Sequence, residues 1–288
     1  MLTEPKISII TACFNHGRYI GEMLQSVYCQ TFQEFEVIIV NDGSTDNTSE
    51  ILSSVTNGKV TVINTKNNGP ALARNIAISH AKAPVIMNLD ADDKIASDLL
   101  EKAYKIFTEN ENAGIVHCDA ECFGARVGKF EIGDYSINNM LYSNRINSQS
   151  FFKREDWEKV GGYSDELIYG MEDWDFWLLL IELGRDVIKI PESLVFYRTY
   201  KSLPESRSGR RKTDRLKARE SQLIIFQRHK NLYAAYPDAI RYFSSLEDKI
   251  SGENFAVRQI KNLFFKYSQK YYWKFAGKNF FKIIRKLR

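Results

Sequence analysis

The sequence predicts an α/β fold, a mostly parallel sheet with flanking helices followed by a helical C-terminal extension. Three observations carry this reading. Short, largely apolar runs alternate with helix-length segments four times before Asp119. The runs lack polar alternation, as in strands covered on both faces. Each run also stops at a polar, turn-rich loop, and in open sheets of this kind ligands bind at the carboxyl ends of the strands.

Taken in order, Ile7–Ala12 is the first strand. It breaks at Cys13-Phe14-Asn15-His16-Gly17, and a helix runs on to about Gln30. The turn carries no GxGxxG, which argues against a dinucleotide fold of that type. Glu36–Val40 is the second strand; it ends in Asn41-Asp42-Gly43-Ser44-Thr45-Asp46-Asn47-Thr48. There Asp46 is a natural N-cap for a helix over Thr48–Val55. Lys59–Asn64 is the third strand, and Asn67-Asn68-Gly69-Pro70 turns the chain into a helix over Ala71–His80 with Pro70 at its start. Val85–Leu89 is the fourth strand and Ala113–Cys118 the fifth. Buried strands joined through helices imply right-handed crossovers.

The fourth strand ends abruptly in three carboxylates, Asp90, Asp92 and Asp93. While the backbone stays extended, residues two apart point the same way, so Asp90 and Asp92 can face one point. Two close carboxylates repel, and a divalent cation removes that cost. Mg²⁺ is typically held by one or two carboxylates plus phosphate oxygens, which makes a metal–diphosphate site the sharper reading. The plainer one is a polar turn with Asp92 or Asp93 capping a helix over Ile95–Phe107.

The 288 residues are 44% hydrophobic and 26% charged, an ordinary globular balance. The net charge of +4 is uneven: residues 254–288 carry ten Lys or Arg and no Asp or Glu, leaving −6 on the rest. Cys13, Cys29, Cys118 and Cys122 do not form a disulfide framework, and His117-Cys118-x₃-Cys122 lacks a fourth zinc ligand at usable spacing. Buried free thiols are expected. No signal peptide or membrane-spanning run is read from the sequence, and the expected location is cytoplasmic.

After Asp119 the alternation fades. Residues 120–149 are irregular, with Gly124, Gly128 and Gly133 spacing short segments, as in a loop or small sheet laid over a site. Phe151 begins a strand leading into a short helix ended by Gly161-Gly162. Asp165–Gly170 is a loop, and a helix starts at Glu172-Asp173-Trp174-Asp175 and runs to about Leu183.

Six segments in this order, Ile7–Asn15, Asn41–Thr48, Gly69–Asn75, Leu89–Asp93, Gly161–Asp165 and Glu172–Trp177, resemble the inverting nucleotide-sugar glycosyltransferases of family 2. The resemblance covers roughly residues 5–200. It implies a GT-A, Rossmann-like fold over residues 1–204, with a nucleotide half at 1–119 and an acceptor half at 120–204, then an extension at 205–288. It also implies a UDP- or dTDP-sugar donor and Mn²⁺ or Mg²⁺. Carried over, Thr11 and Asn15 resemble nucleoside-binding positions, and Asp42 the carboxylate that accepts from the pyrimidine. On local grounds Asp42 is equally a turn residue. Arg74 resembles the basic residue at the nucleotide, with a helix-surface salt bridge as its rival role. Asp90 resembles the residue toward the ribose, and Asp92, with Asp90, the metal-binding pair. Asp173, beside Glu172, resembles the catalytic base; on local grounds it is a first-turn acid favoured by the helix dipole. Trp174 is a candidate acceptor contact, whereas Trp177 reads as core. One segment departs from the family. Where Tyr-Arg-x-His is usual, this chain has Tyr197-Arg198-Thr199-Tyr200, so Tyr200 replaces a histidine that can ligate the metal. Arg198 or Lys201 is then a candidate for neutralising the diphosphate.

In the tail, lysines recur at 266, 270, 274, 278, 282 and 286 among ten aromatics from Phe255 onward. Basic and aromatic residues at helical spacing suit an interfacial helix on anionic lipid, matching a glycan or lipid-linked acceptor and a peripheral place on the inner face of the membrane. The competing reading is a face packed on the body or on a partner helix. Nothing else in the sequence supports nucleic-acid binding. The expected activity is metal-dependent inverting glycosyl transfer in surface-polysaccharide synthesis. A nucleotidyltransferase, or a degenerate nucleotide- or glycan-binding module, is the alternative.

Overall fold

A computed structural model describes residues 4–201 and 215–251. Among these the chain forms a nine-stranded mixed sheet. The strands are β1 (Ile7–Cys13), β2 (Phe35–Asp42), β3 (Val60–Thr65), β4 (Val85–Asn88), β5 (Lys94–Ile95), β6 (Ala113–Gly124), β7 (Gly128–Phe130), β8 (Phe151–Lys153) and β9 (Asp186–Thr199). Their order is β3-β2-β1-β4-β8-β6-β9-β5, with β7 paired to β6. From β3 to β4 all pairing is parallel. Beyond β4 the sheet is mixed, because β8 is antiparallel to both β4 and β6, while β6 and β9 are parallel.

The parallel half follows directly from the apolar runs. Ile7, Ile9, Val37, Ile39, Val85 and Met87 join one continuous core with Ile20, Met23, Leu24 and Val27 of α1 (Gly17–Tyr28). Leu99, Leu100, Ala103 and Phe107 of α4 (Leu99–Glu109) complete it. Ala73, Ala77 and Ile78 of α3 (Pro70–Ser79) are likewise buried, so the strands carry helices rather than water. The connection after β1 runs outward through α1, β2, α2 (Thr48–Ser53) and β3, then returns to β4 on the other side of β1. Such a reversal marks the carboxyl ends of β1 and β4 as the place where sheets of this kind bind ligands.

Several boundaries differ from the sequence expectation. The helix expected over Ile95–Phe107 begins at Leu99, and neither Asp92 nor Asp93 caps it; Asp98 takes the N-cap position without a side-chain bond. Lys94 and Ile95 instead pair with Phe196 and Val195 of β9. A strand partner a hundred residues away outcompetes the local helical pattern. Asn47, not Asp46, is the N-cap of α2, although Asp46 Oδ1 still accepts from Thr48 N at 3.0 Å. Cys13, Cys118 and Cys122 are buried free thiols, but Cys29 is exposed. Burial pushes the Cys13 and Cys118 thiols up to about 12.

The stretch after Asp119 contains the outer part of β6, the β6–β7 pair and a short helix α5 (Ile137–Met140). It is followed by α6 (Arg154–Val160) and α7 (Glu172–Glu182), then, past β9, by α8 (Arg215–Arg228), α9 (Lys230–Tyr233) and α10 (Pro237–Ser251). Compactness divides the chain after Ala239. Residues 215–239 therefore fold with the sheet, and the division expected at 204/205 falls within one unit. Within the second unit Tyr242 lies edge-on to Phe243. The basic, aromatic tail at 255–288 lies outside the described residues. Among the described residues no helix is long and apolar enough to cross a membrane.

Candidate active site

Three strand-end loops are tied to one another before any ligand is considered. Asn15 adopts a left-handed backbone, φ 57°, at the exit of β1. Its N–H donates to Ser44 Oγ at 2.9 Å, and its Oδ1 accepts from Thr45 N at 2.7 Å and Asp46 N at 3.3 Å. Asp46 in turn accepts from Gly17 N at 3.2 Å. A Cβ at Gly17 would lie 2.8 Å from the backbone Thr48 N, which favours glycine there. Asp42, buried at the end of β2, accepts from Thr65 Oγ1, Asn68 N and Gly69 N at 2.8–2.9 Å, fixing the loop that leads into α3. A carboxylate offers about four acceptor positions, so Asp42 keeps one acceptor site beyond this loop. Thr11 is fully buried in β1, and among the described residues its hydroxyl has no hydrogen-bond partner. The structure therefore encloses it in the sheet, away from the open rim where the sequence reading put it.

Arg74 is the hub of the site. It is 5% exposed, and each of its three nitrogens meets a protein acceptor: Nε to Asn88 Oδ1 at 2.9 Å, one terminal nitrogen to Glu172 Oε1 at 2.8 Å, the other to Asp90 Oδ1 at 2.9 Å. Burial alone would lower its pKa, but the Asp90 and Glu172 carboxylates more than reverse this and keep the guanidinium charged. The salt bridge is thus a buried three-cornered one rather than a helix-surface pair, and Arg74 is not a loose cation at an open nucleotide site. Glu172 is correspondingly committed: its side chain is 6% exposed and paired with Arg74, which removes it as a base. The same guanidinium draws the end of β4 to the first turn of α7, so Asp90 and the Glu172-Asp173 pair share one site.

Asp90 Oδ2 also accepts from Ser148 Oγ at 3.1 Å and Gln149 Nε2 at 3.2 Å. Asp93 is buried, and its Oδ1 accepts from Arg198 N at 2.7 Å while Gln149 Nε2 donates to Oδ2. Burial, and then the neighbouring Asp92 and Asp90 charges, push its carboxyl well above the usual range. Asp92 is less committed. Tyr200 donates its hydroxyl to Oδ2, and among the described residues Oδ1 has no hydrogen-bond partner. Tyr200 itself packs edge-on against Tyr19. Arg198 lies between the Tyr19 and Phe123 rings, 4.4 Å from each centroid, and 3.0 Å from Glu22 Oε2, with Nε donating to Asp92 O. It braces this loop and is not a free phosphate-binding group. Lys201 is exposed.

Among the described residues no group of three or more His, Cys, Asp or Glu is arranged to hold a metal. The donor set still fits a divalent cation of the kind completed by substrate phosphates, because Asp92 Oδ1 stands open beside two further carboxylates. Asp90, with both oxygens engaged, is the weaker half of the expected pair.

Across the site, Met171 takes a left-handed backbone, φ 76°, directly before α7. A non-glycine residue held there carries strain of about 1–2 kcal/mol, a feature that gathers at functional sites. Asp173 follows in the first turn, where Oδ1 accepts from Trp174 N and Oδ2 from Asn144 Nδ2, both at 2.9 Å. Trp174 is 1% exposed and donates to Met140 O at 2.7 Å. It is part of the packing beneath the site and not a platform for an acceptor sugar. Trp177 is core, as expected.

Asn75 secures the loop before α7. It accepts from Trp157 Nε1 and Tyr163 N and donates to Tyr163 O, at 2.8–3.0 Å. Gly162 beside it has φ 80°, and a Cβ would lie 2.6 Å from Asn75 Oδ1. Sequence reasoning missed Asn88, Asn144, Ser148 and Gln149. For the last two a signal existed, since Asn147-Ser148-Gln149-Ser150 is an unbroken polar run directly before the apolar Phe151-Phe152.

Residues 8–162, more than half of the chain, match the family model described as glycosyl transferase family 2. The chain belongs to this family. Chondroitin synthase of Pasteurella multocida (strain Pm70) is 29% identical over 187 residues, which is 63% of this chain but 19% of that protein. The family 2 chain thus spans about a fifth of that relative's length. Among solved structures, Staphylococcus aureus TarS 1–349 in complex with UDP is similar, with a TM-score of 0.63 and 21% identity over 83% of this chain and 72% of that one. The mannosyltransferase PcManGT from Pyrobaculum calidifontis, in complex with GDP-Man and Mn²⁺, gives 0.61 and 20% over 90% and 79%. These neighbours share the GT-A fold with this family 2 chain.

Proposed function

We propose that this protein is an inverting glycosyltransferase that moves a sugar from a UDP-sugar to a hydroxyl of a glycan or lipid-linked acceptor. The observation that carries the proposal is the Arg74 bridge, which brings the carboxylate-bearing end of β4 together with the first turn of α7. A donor diphosphate lies against the first, and a base is available on the second.

In this reading Asp173 accepts the proton of the acceptor hydroxyl as that oxygen attacks the anomeric carbon. The new C–O bond forms on the face opposite the breaking bond to the diphosphate, so the configuration inverts and the nucleoside diphosphate leaves. Asn15 and the open acceptor site of Asp42 face the nucleoside, and Asp90 the ribose. Asp92 would hold Mn²⁺ or Mg²⁺, whose charge neutralises the diphosphate when bound. A neighbour solved with UDP and one solved with UDP-GlcNAc support that donor, and one solved with GDP-Man and Mn²⁺ supports a nucleotide-sugar and a divalent metal more broadly. The ten basic residues and absent acids of 254–288 support attachment to anionic lipid, where a lipid-linked acceptor in surface-polysaccharide synthesis would be met.

Asp173→Asn tests the assignment. Turnover should fall at least about a hundredfold, the typical scale of a positioned base, while calorimetric UDP binding persists. Wild-type turnover in this variant would overturn it. Deletion of 255–288 should abolish sedimentation with phosphatidylserine liposomes, and unchanged sedimentation would refute the lipid role.

A further inference from the structure

The C-terminal segment 215–236 has no part in the site described above, yet its polar residues reach α7 and the segment after α5, the elements that carry Asp173 and Asn144. At the end of α8, Arg228 Nε donates to Asp175 Oδ1 at 2.8 Å. His229 Nε2 meets the same oxygen at 3.1 Å, and its Nδ1 lies 3.3 Å from Glu182 Oε2. His229 and Asp175 are both fully buried. One helix further, the buried Tyr233 donates its hydroxyl to Leu141 O at 2.6 Å.

Leu141 directly follows α5, and that short segment is gripped again from the other side. Trp174 Nε1 donates to Met140 O at 2.7 Å, and Asn144, whose Oδ1 accepts from Ile146 N at 3.0 Å, donates through Nδ2 to Asp173 Oδ2 at 2.9 Å. Three consecutive residues of one helical turn are therefore each held from outside it: Asp173 by Asn144, Trp174 by Met140, and Asp175 by Arg228 and His229. Tyr233 closes the circuit by tying the extension to the 140–144 segment.

We propose that Asn144 is a positioning residue for Asp173, and that the extension, through Tyr233 and the Asp175 contacts, fixes Asn144 in place. The proposal rests on the reading of Asp173 as the base. The chemistry asks for such a device. A carboxylate base must keep one lone pair on the line to the acceptor hydroxyl, and an error of about 1 Å costs about a hundredfold in rate. A side chain in the first turn of a helix whose preceding residue is strained gains that precision from neighbours that cannot themselves shift.

The test uses the full chain. Asn144→Ala removes the amide donor, Asn144→Ser shortens it, and Tyr233→Phe cuts the link to Leu141 without touching Asn144. UDP release is followed with whichever of UDP-glucose, UDP-galactose or UDP-GlcNAc the wild type turns over fastest. Asn144→Ala should lower kcat about 10–100-fold with UDP affinity unchanged. Tyr233→Phe should lower it in the same direction by less. A hydrogen bond to a carboxylate favours its charged form, so the acid limb of the rate profile should move to higher pH in Asn144→Ala. The Asp173 carboxyl carbon, followed by ¹³C NMR of the ligand-free protein and assigned with Asp173→Asn, should titrate higher as well. A kcat and an Asp173 titration indistinguishable from wild type in the Asn144 variants would overturn the proposal. Inactive Asp173→Asn beside a fully active Asn144→Ala would overturn the positioning role alone. A fully active Asp173→Asn would instead overturn the base assignment on which it rests.

Discussion

Replacing Arg74 by Met removes the one cation that two separate carboxylates share. The two are not equally affected. Asp90 has a side chain 29% exposed and keeps its bonds from Ser148 and Gln149. Glu172 is 6% exposed, and Arg74 faces it at 2.8 Å. Removing one partner of a buried pair costs about 3–5 kcal/mol, and here most of that falls on Glu172, the more deeply buried of the two carboxylates. Arg74→Met should therefore lower unfolding stability by about 3–5 kcal/mol. Arg74→Met/Glu172→Gln should regain about half of this, since the buried carboxylate charge that Arg74 balanced is gone although its shape is kept. Urea unfolding in a Trp273→Phe background measures it, because the remaining tryptophans, Trp157, Trp174 and Trp177, all belong to the unit ending at Ala239. A loss below about 1 kcal/mol, the scale of an exposed pair, would refute the argument. So would a double variant no more stable than Arg74→Met alone.

Three other perturbations have definite signs. Gly162→Ala forces a Cβ against Asn75 Oδ1 at φ 80°; left-handed strain plus weakened Asn75 bonds should cost about 2–4 kcal/mol in urea unfolding, and a loss under about 0.5 kcal/mol would contradict the geometry. For His229, burial pulls the pKa down, but the contacts with Asp175 and Glu182 outweigh it and hold it above its ordinary value. With Arg228 also facing Asp175, the charged imidazole stabilises the fold below about pH 6.5, and this contribution fades as pH rises through the raised folded-state value. The stability gap between wild type and His229→Gln should shrink from pH 6 upward, and a gap that widens would reverse the reasoning. Tyr200→Phe frees Asp92 Oδ2 from a charge-assisted hydrogen bond, so Mn²⁺ affinity in the presence of UDP, read by electron paramagnetic resonance, should rise about tenfold; weaker binding would mean that the tyrosine supports the site instead of competing for it.

The parallel half of the fold was legible because its strands announce themselves locally. Ile7–Cys13 and Phe35–Asp42 are apolar enough to be buried on both faces, and the loops after them carry turn residues at their ends. Asp90, Asp92 and Asp93 were legible for the same reason. The acceptor half was not. Lys94 and Ile95 form a strand only because β9 passes beside them, and β8 is three residues long, held between β4 and β6. The strand at Phe151 was legible in its apolar pair, but its antiparallel place between β4 and β6 was not, and Lys94-Ile95 has no periodicity of its own to mark it as a strand.

The same distinction separates residues whose type was readable from residues whose role was not. Arg74 and Glu172 were both singled out in the sequence, but a sequence cannot tell an arginine offered to a ligand from one enclosed by two carboxylates and an asparagine. That depends on burial, which partners 14, 16 and 98 residues away create together. Thr11 and Trp174 turned inward for a related reason: each sits on an element covered on both sides, so the surface that a motif suggests does not exist there. The polar side chains that do finish the site, Asn144, Ser148 and Gln149, come from a stretch with little regular structure. Such residues are placed by what they bond to, and their partners, Asp173, Asp90 and Asp93, are the carboxylates that the strand and helix ends had already brought into position. The regular half of the molecule thus sets where the charges lie, and the irregular half sets how each is aimed, which is why substitutions at 144–149 should alter rate more than the affinity for UDP.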